Sequence, residues 1–333
     1  MHERIGPGLL EVPEESNGRG LREVGCLPGA GPGYAEAPAG GGLEQIRQGL
    51  LDGELDALVL VHADPIRNLP DGPGWAEALR RARNVIAVSA FDDASTGAAD
   101  IVIPAEAYAE KEGTVTHPDG RLQRLRPAVP RPGDVHPIWQ VLAELSSRLG
   151  DETGIDSGPE ALEALAAEVP FYAGITPEEI GGRGVRWQER AGVGAGPGNA
   201  PADPSRGADA ASGDQQPAAG RRASADPSPD PASGDGLRLG TYRDLWADEV
   251  TDRNVALRFL APAQTVELAP SDGERLGLAD GDEVEVRSNG TAVRARVELR
   301  ERMRPGTAFL VEATATDNAN ALQPGETVEV IKP

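Results

Sequence analysis

The sequence predicts an α/β body followed by a β-rich domain, with a disordered linker between them. Three observations carry this. Continuous apolar runs at Ala57–Val61, Val85–Val88 and Ile101–Ile103 alternate with helix-like stretches in the first half. From 191 to 236 the chain has no Leu, Ile, Met or aromatic residue. Beyond 238, short alternating segments are separated by turn dipeptides.

The organisation follows in chain order. Residues 1–42 are rich in Gly and Pro and read as an extended segment. Residues 43–190 form the α/β domain with short trailing helices. Leu43, Ile46, Leu50 and Leu51 share one helical face, and Gly53 follows as a stop. Ala57–Val61 reads as a strand buried on both faces, closed by the turn pair Asp64-Pro65. Trp75, Ala78, Leu79 and Ala82 mark a short helix before the next two strands. Strand, helix and strand joined by short loops imply parallel pairing. After Pro137, Ile138, Val141, Leu142, Leu145 and Leu149 form a helical stripe that stops at Gly150. Ser157 and Thr176 stand where helix N-caps are expected. Residues 191–237 are too poor in apolar side chains to offset chain entropy and read as the disordered linker. Residues 238–333 form the β-rich domain, with strands expected at 265–268, 283–286, 291–299, 307–311 and 326–331. Ser288-Asn289-Gly290 supplies a hairpin turn.

Composition excludes several functions. A formal charge of −22 argues against nucleic acid and against anionic lipid surfaces. Cys26 is alone, so no cysteine pair exists for an intrachain disulfide, a zinc site or a cluster. No apolar run is long enough to span a membrane. The first residues, MHERIGPGLLEV, lack the apolar core of a signal peptide. No metal-ligand spacing, Walker A loop or catalytic triad can be assembled. The glycines at 192, 194, 196 and 198 mimic a phosphate loop without a strand before them or a helix after them.

The segment Ala99–Gln123 carries the most information: Asp100 and three apolar residues before Pro104, then Glu110-Lys111-Glu112-Gly113-Thr114, then Asp119-Gly120-Arg121-Leu122-Gln123. This order resembles the signature of the molybdopterin oxidoreductase superfamily. Leu276-Gly277-Leu278 and Asp280-Gly281-Asp282 resemble the superfamily's molybdopterin-dinucleotide-binding domain, a double-psi β-barrel. Asn17, Gly20, Gly25, Leu27, Pro28 and Gly29 resemble a motif of the large, cluster-bearing G component of bacterial NADH-quinone oxidoreductase (respiratory complex I). The resemblance implies molybdopterin and iron–sulfur clusters in complete members. It covers only the C-terminal part of such a member, so a split or truncated gene product is expected. It also implies, as partners, the other subunits of the cytoplasmic arm of NADH-quinone oxidoreductase and a separately encoded cysteine-rich N-terminal half. The implied location is cytoplasmic, peripheral to the inner face of the plasma membrane. His117 and His62 stand where the family has Asn and a small residue, which argues against a bound pterin.

The candidate ligand-binding residues are Asp64, Asp92 and Thr96. They follow predicted strands, where open α/β sheets bind ligands; the alternative is plain turn and cap residues. No catalytic residue and no metal ligand is assigned. Glu106, Glu110 and Glu112 read as a solvated loop, against an acid/base cluster. Arg121 reads as a structural salt bridge that locks its loop to the body. The resulting expectation is a structural and docking part of a protein like that G component, holding no redox centre itself and no cofactor. The alternatives are a formate-dehydrogenase-like fragment that binds part of a pterin dinucleotide, and an acidic protein-binding module.

Overall fold

The computed structural model describes residues 16–190 and 236–333. The glycines at 192–198 and all but the last two positions of the expected linker lie outside these residues. In chain order the elements are α1 (Gly18–Glu23), α2 (Leu43–Asp52), β1 (Ala57–Val61), α3 (Pro65–Asn68), α4 (Gly72–Arg81), β2 (Asn84–Ser89) and β3 (Ile101–Pro104). Then come β4 (Gly113–Thr116), β5 (Arg121–Leu125), α5 (Ile138–Arg148), α6 (Gly158–Glu168), α7 (Pro177–Ile180) and β6 (Val185–Arg186). The last part holds β7 (Leu237–Arg243), α8 (Glu249–Arg253), β8 (Thr265–Leu268), α9 (Pro270–Leu276), β9 (Glu283–Ser288), β10 (Thr291–Leu299), β11 (Thr307–Glu312) and β12 (Thr327–Ile331). Among the described residues no helix is long and apolar enough to cross a membrane.

Contacts divide the chain into two units, one from Met1–Ile46 with Ile103–Gln215, the other from Arg47–Val102 with Gln216–Pro333. The first holds the antiparallel sheet β4-β5-β6. Leu122, Leu162, Val169, Phe171, Tyr172, Ile175, Ile180 and Trp187 form its core. The expected caps are made. Ser157 Oγ accepts from Glu160 N at 3.3 Å, and Thr176 Oγ1 accepts from Glu179 N at 3.2 Å.

The Gly/Pro-rich start contributes α1, and its motif residues act on this core. Asn17 Oδ1 accepts from Thr116 N at 2.8 Å. A Cβ on Gly20 would lie 2.1 Å from Asn17 Oδ1 and 3.0 Å from Thr116 Oγ1, so the Asn–Gly spacing is a packing requirement. Glu23, 1% exposed, accepts from the Tyr172 hydroxyl and, at 2.7 Å, from Arg19 Nε. Tyr172 OH lies 3.2 Å from Thr116 Oγ1. Burial first, and then the Glu23 carboxylate, push the Tyr172 phenol far above its usual range, so it stays a donor.

Three expectations change in this unit. Among the described residues Arg121 forms no salt bridge; it donates to the Arg183 carbonyl at 3.3 Å, because the β5–β6 pairing brings that turn alongside. Glu106 is not solvated. It is 2% exposed, next to Ala105, which bridges in parallel to His136. Among the described residues its Oε2 has no hydrogen-bond partner, and half-buried Lys111, whose ammonium burial pulls below its usual range, supplies the nearby charge. The stripe of α5 forms its helix, yet none of its residues is buried, and Leu149 is 79% exposed.

In the second unit, β1 and β2 pair in parallel in the sheet order β1-β2-β3. Leu60, Leu79, Val85 and Ala87 form one core, with Leu58 and Ile66 packed on it. Asp71 caps α4 by accepting from Gly74 N at 3.1 Å. Contrary to the expectation of burial on both faces, β1 buries only Leu60 among the described residues. Val59 and Val61 are 41% and 37% exposed, whereas Leu60 on the alternate face is buried with Leu79, Val85 and Ala87.

The C-terminal strands close into a six-stranded barrel in the order β10-β8-β11-β7-β12-β9. The β8–β10 and β7–β11 pairs are parallel, and the remaining pairs are antiparallel. Inward residues such as Leu239, Val266, Leu268, Val286, Val297 and Leu310 fill it. Asn289 (φ 49°) and Gly290 (φ 82°) make the expected hairpin turn between β9 and β10. The strand pattern does not mark β7, whose alternation Gly240 interrupts. A Cβ there would lie 2.5 Å from the Phe309 ring.

Candidate functional site

The three candidate residues all lie in the second unit, after β1 and β2. Asp64 follows β1 and caps α3, with Pro65 at the first helical position where no N–H is needed. Its Oδ1 accepts from Arg67 N at 3.2 Å and from the Ser95 hydroxyl. Ser95 Oγ also accepts from Ile66 N at 3.3 Å. Asp64 and Ser95 are both buried.

Thr96 is buried in the loop after β2 and is tied to Asp93, not to Asp92. Thr96 N donates to Asp93 Oδ1 at 2.7 Å, Asp93 N donates to Thr96 Oγ1 at 2.7 Å, and Thr96 Oγ1 donates to Asp93 O at 2.9 Å. Asp92 is exposed and contributes its carbonyl, which accepts from Arg253. The structure thus brings Asp64 and Thr96 to one place and leaves the Asp92 side chain at its margin.

Sequence reasoning missed Asp93 and Glu249, which complete the site. Glu249 opens α8, whose N-cap Asp248 accepts from Thr251 N at 2.7 Å. One carboxylate oxygen each from Asp64, Asp93 and Glu249 lies within 4.8 Å of the others. Among the described residues this is the one such convergence of His, Cys, Asp or Glu. The local signal was present: Asp93 stands three residues before Thr96, and the two make the reciprocal hydrogen bonds of a capping box. Glu249, more than 150 positions away, could not be placed without the fold.

Two guanidinium groups stand beside the carboxylates. Arg67 pairs with Asp252 and lies 3.7 Å from Glu249. Its Nε and Nη2 also donate to the Ala313 carbonyl, at 3.1 and 2.6 Å. Asn318 and Asn320 each donate to the Arg67 carbonyl at 2.7 Å, so the α3 turn is fixed to the barrel's 313–320 loop. Arg253 lies 3.7 Å from Glu249 and over the Phe91 ring at 5.8 Å. The two guanidinium groups pair with Glu249 and Asp252, and among the described residues no ion pair reaches Asp64 or Asp93. Burial first, then the Asp64 charge, raise the Asp93 carboxyl; burial first, then Asp93, raise that of Glu249.

This chemistry does not fit a dinucleotide's phosphates. A diphosphate at a helix start needs free backbone N–H groups and positive potential. Here Ile66 N and Arg67 N are already taken by Ser95 and Asp64, and the facing side chains are anionic. The oxygen donors are of the type that suits a hard cation; Asp64 and Asp93 also accept capping hydrogen bonds, and Glu249 lies near Arg67 and Arg253.

In the first unit, His117 is exposed, with Nδ1 2.9 Å from Asp119 Oδ1. Cys26 is exposed, and desolvation by its neighbours raises its thiol, which lowers the thiolate fraction.

Comparison with known proteins places these features. Residues 37–148 match the molybdopterin oxidoreductase family, and residues 237–332 match the molybdopterin dinucleotide binding domain. It is 30% identical over 95% of its length to the NADPH-Fe(3+) oxidoreductase subunit alpha of Geobacter sulfurreducens, and covers 35% of that protein. It is 27% identical over 95% of its length to a G component of NADH-quinone oxidoreductase from Rhizobium meliloti, and covers 36% of it. An F420-dependent formate dehydrogenase subunit alpha of Methanococcus maripaludis is 29% identical over 55% of this chain and is covered over 30% of its own length. The chain thus spans about a third of the length of these curated relatives. The acetylene hydratase of Pelobacter acetylenicus shares the fold, with a TM-score of 0.62 over 91% of this chain and 47% of that one, at 13% identity.

Proposed function

We propose that this chain is a structural and docking part of a multi-subunit redox complex of the NADH-quinone oxidoreductase kind, and that it holds no redox centre of its own. Relatives named as subunits of NAD(P)H oxidoreductases match over 95% of the chain, whereas the formate dehydrogenase matches over 55%. The observation that carries the reading is the site after β1 and β2: Asp64, Asp93 and Glu249 converge there, and the α3 amides are capped internally. A site so arranged stabilises loops and repels phosphate. One cysteine and four histidines supply no cluster set. The barrel, with its two parallel pairs in a mixed order, supports a double-psi reading of this domain.

A second reading, a fragment that binds part of a pterin dinucleotide, rests on the match of residues 237–332 to the dinucleotide-binding domain. One experiment separates the two. A strain that lacks the chain is complemented with the wild type or with the combined variant Asp64→Asn, Asp93→Asn, Glu249→Gln, and NADH-driven quinone reduction by its membranes is measured. The structural reading expects loss without the chain and equal restoration by both versions. An assembled complex whose activity falls more than tenfold with the variant would overturn it, as would unchanged activity without the chain.

A further inference from the structure

In the first unit the loop at residues 107–110 and the segment at residues 121–131 are hydrogen-bonded into one surface. Ala128 N and Val129 N donate to the Ala109 carbonyl at 2.7 and 3.2 Å, and Arg131 Nη1 donates to the Glu110 carbonyl at 3.4 Å. Tyr108 is 83% exposed and Val129 is 47% exposed, so an aromatic ring and a branched apolar side chain face water on adjoining stretches. Pro127, Pro130 and Pro132 fix φ along the second stretch, which limits the entropy it would lose on docking.

Charge is sorted on this surface. Residues 121–131 hold four arginines and no acid, in a chain whose formal charge is −22. Arg124 and Arg126 are exposed, and among the described residues their side chains make no hydrogen bond or ion pair. The acids of the neighbouring loop are used inside the fold. Glu106 is 2% exposed, and Glu110 Oε2 accepts from Ala107 N at 2.9 Å. Glu112 lies against the start of α6, where a Cβ on Gly158 would stand 3.2 Å from its Cγ. Elsewhere arginines pair with carboxylates of the same chain, as Arg67 does with Asp252, Arg190 with Glu179 and Arg300 with Glu267. Arg124 and Arg126 stand outside that pattern.

Tyr and Arg are the residue types that anchor protein interfaces, and unpaired surface charge steers a partner of the opposite sign. A nucleic acid or an anionic membrane is charged along its whole extent and meets the repulsion of the whole chain. A protein can present one acidic patch on an otherwise balanced surface. An isologous second copy would set these arginines against themselves. From these observations we infer that Tyr108, Val129, Arg124 and Arg126 form the docking site for another subunit, a protein that presents carboxylates around an apolar pocket. Tyr108 and Val129 enter the pocket, and the two guanidinium groups pair with the carboxylates at its rim. The inference rests on the reading of the chain as part of a multi-subunit complex and names a surface by which it docks.

The test places a photo-crosslinking phenylalanine analogue at Tyr108 of the full chain in its source cells, with Glu274 on α9 as control position, and maps the adduct by mass spectrometry. The expected result is a Tyr108-dependent adduct to a different polypeptide, with Asp or Glu beside the linked site. Adducts confined to a second copy, to this chain's own residues or to nucleic acid, or no adduct above the control, would overturn the proposal. A charge swap then tests the pairing. Arg124→Glu with Arg126→Glu is expected to lower recovery of the complex at least tenfold, while the unfolding midpoint of the isolated full chain stays within about 2 °C, because both side chains are exposed. Lysines in place of the partner's acids at the linked site are expected to restore recovery with this double variant, which a folding defect would not allow. Full recovery with the double variant alone, or no restoration by the swap, would overturn the proposal. If the swap restores the complex but this chain carries pterin, the docking site stands and the functional reading falls.

Discussion

Asp93 shows how single residues set the character of the site. Its side chain closes a turn on Thr96, yet it shares its surroundings with Asp64 and Glu249. The carboxyls of Asp93 and Glu249 are both raised. A raised acid contributes stability that is fully present below its unfolded-state value and is lost as pH rises through the folded one. The site therefore favours the fold at mildly acidic pH and opposes it near neutrality. Asp93→Asn keeps the Oδ1 acceptor and removes the charge. It is expected to raise the thermal midpoint at pH 7 by about 1–2 °C, given solvent screening, with the gain gone below about pH 4. A lower midpoint at pH 7 would show that the charge is satisfied by groups other than those named. Tyr172→Phe acts in the opposite sense. It leaves Glu23 Oε2 buried without the hydroxyl donor, at a cost of about 1–3 kcal/mol in urea unfolding. At this scale the sequence indicated where a site would lie, since Asp64 and Thr96 follow strands, but not its sign. The sign depends on Glu249, which arrives from a distant segment, and on hydrogen bonds that consume the α3 amides.

Elements with a period of two or a strong cap could be read from sequence, because the information is local. The strands from 265 onward, the Asn289-Gly290 turn and the Ser157 and Thr176 caps are of this kind. Elements shaped by distant partners could not. Gly240 interrupts the alternation of β7 because the Phe309 ring lies where its Cβ would be. Gly240→Ala is accordingly expected to cost about 1–3 kcal/mol by overpacking, seen as earlier chemical unfolding of the full chain with β-barrel circular dichroism retained in buffer. An unchanged midpoint would mean that the ring moves aside freely. The exposed faces of β1 and α5 make the same point. Their sequences specify burial, and burial needs a second surface that their own sequence does not contain.

For the whole molecule, the signature segment Ala99–Gln123 and the barrel identify the kind of fold, and the comparisons with known proteins agree. Fold alone does not carry chemistry. The proposed reading, a scaffold that docks, draws its support from the charge of −22 and the capped, acidic loop ends, which disfavour phosphate. The most direct test is the pterin and molybdenum content of the full chain, purified from cells that make the cofactor, both alone and within its complex. Pterin is measured by the fluorescence of its oxidised form, and molybdenum by elemental analysis. The account expects neither to be bound to this chain in either preparation. A stoichiometric amount of pterin dinucleotide on this chain, lost on Asp93→Arg or retained in it, would contradict the central claim.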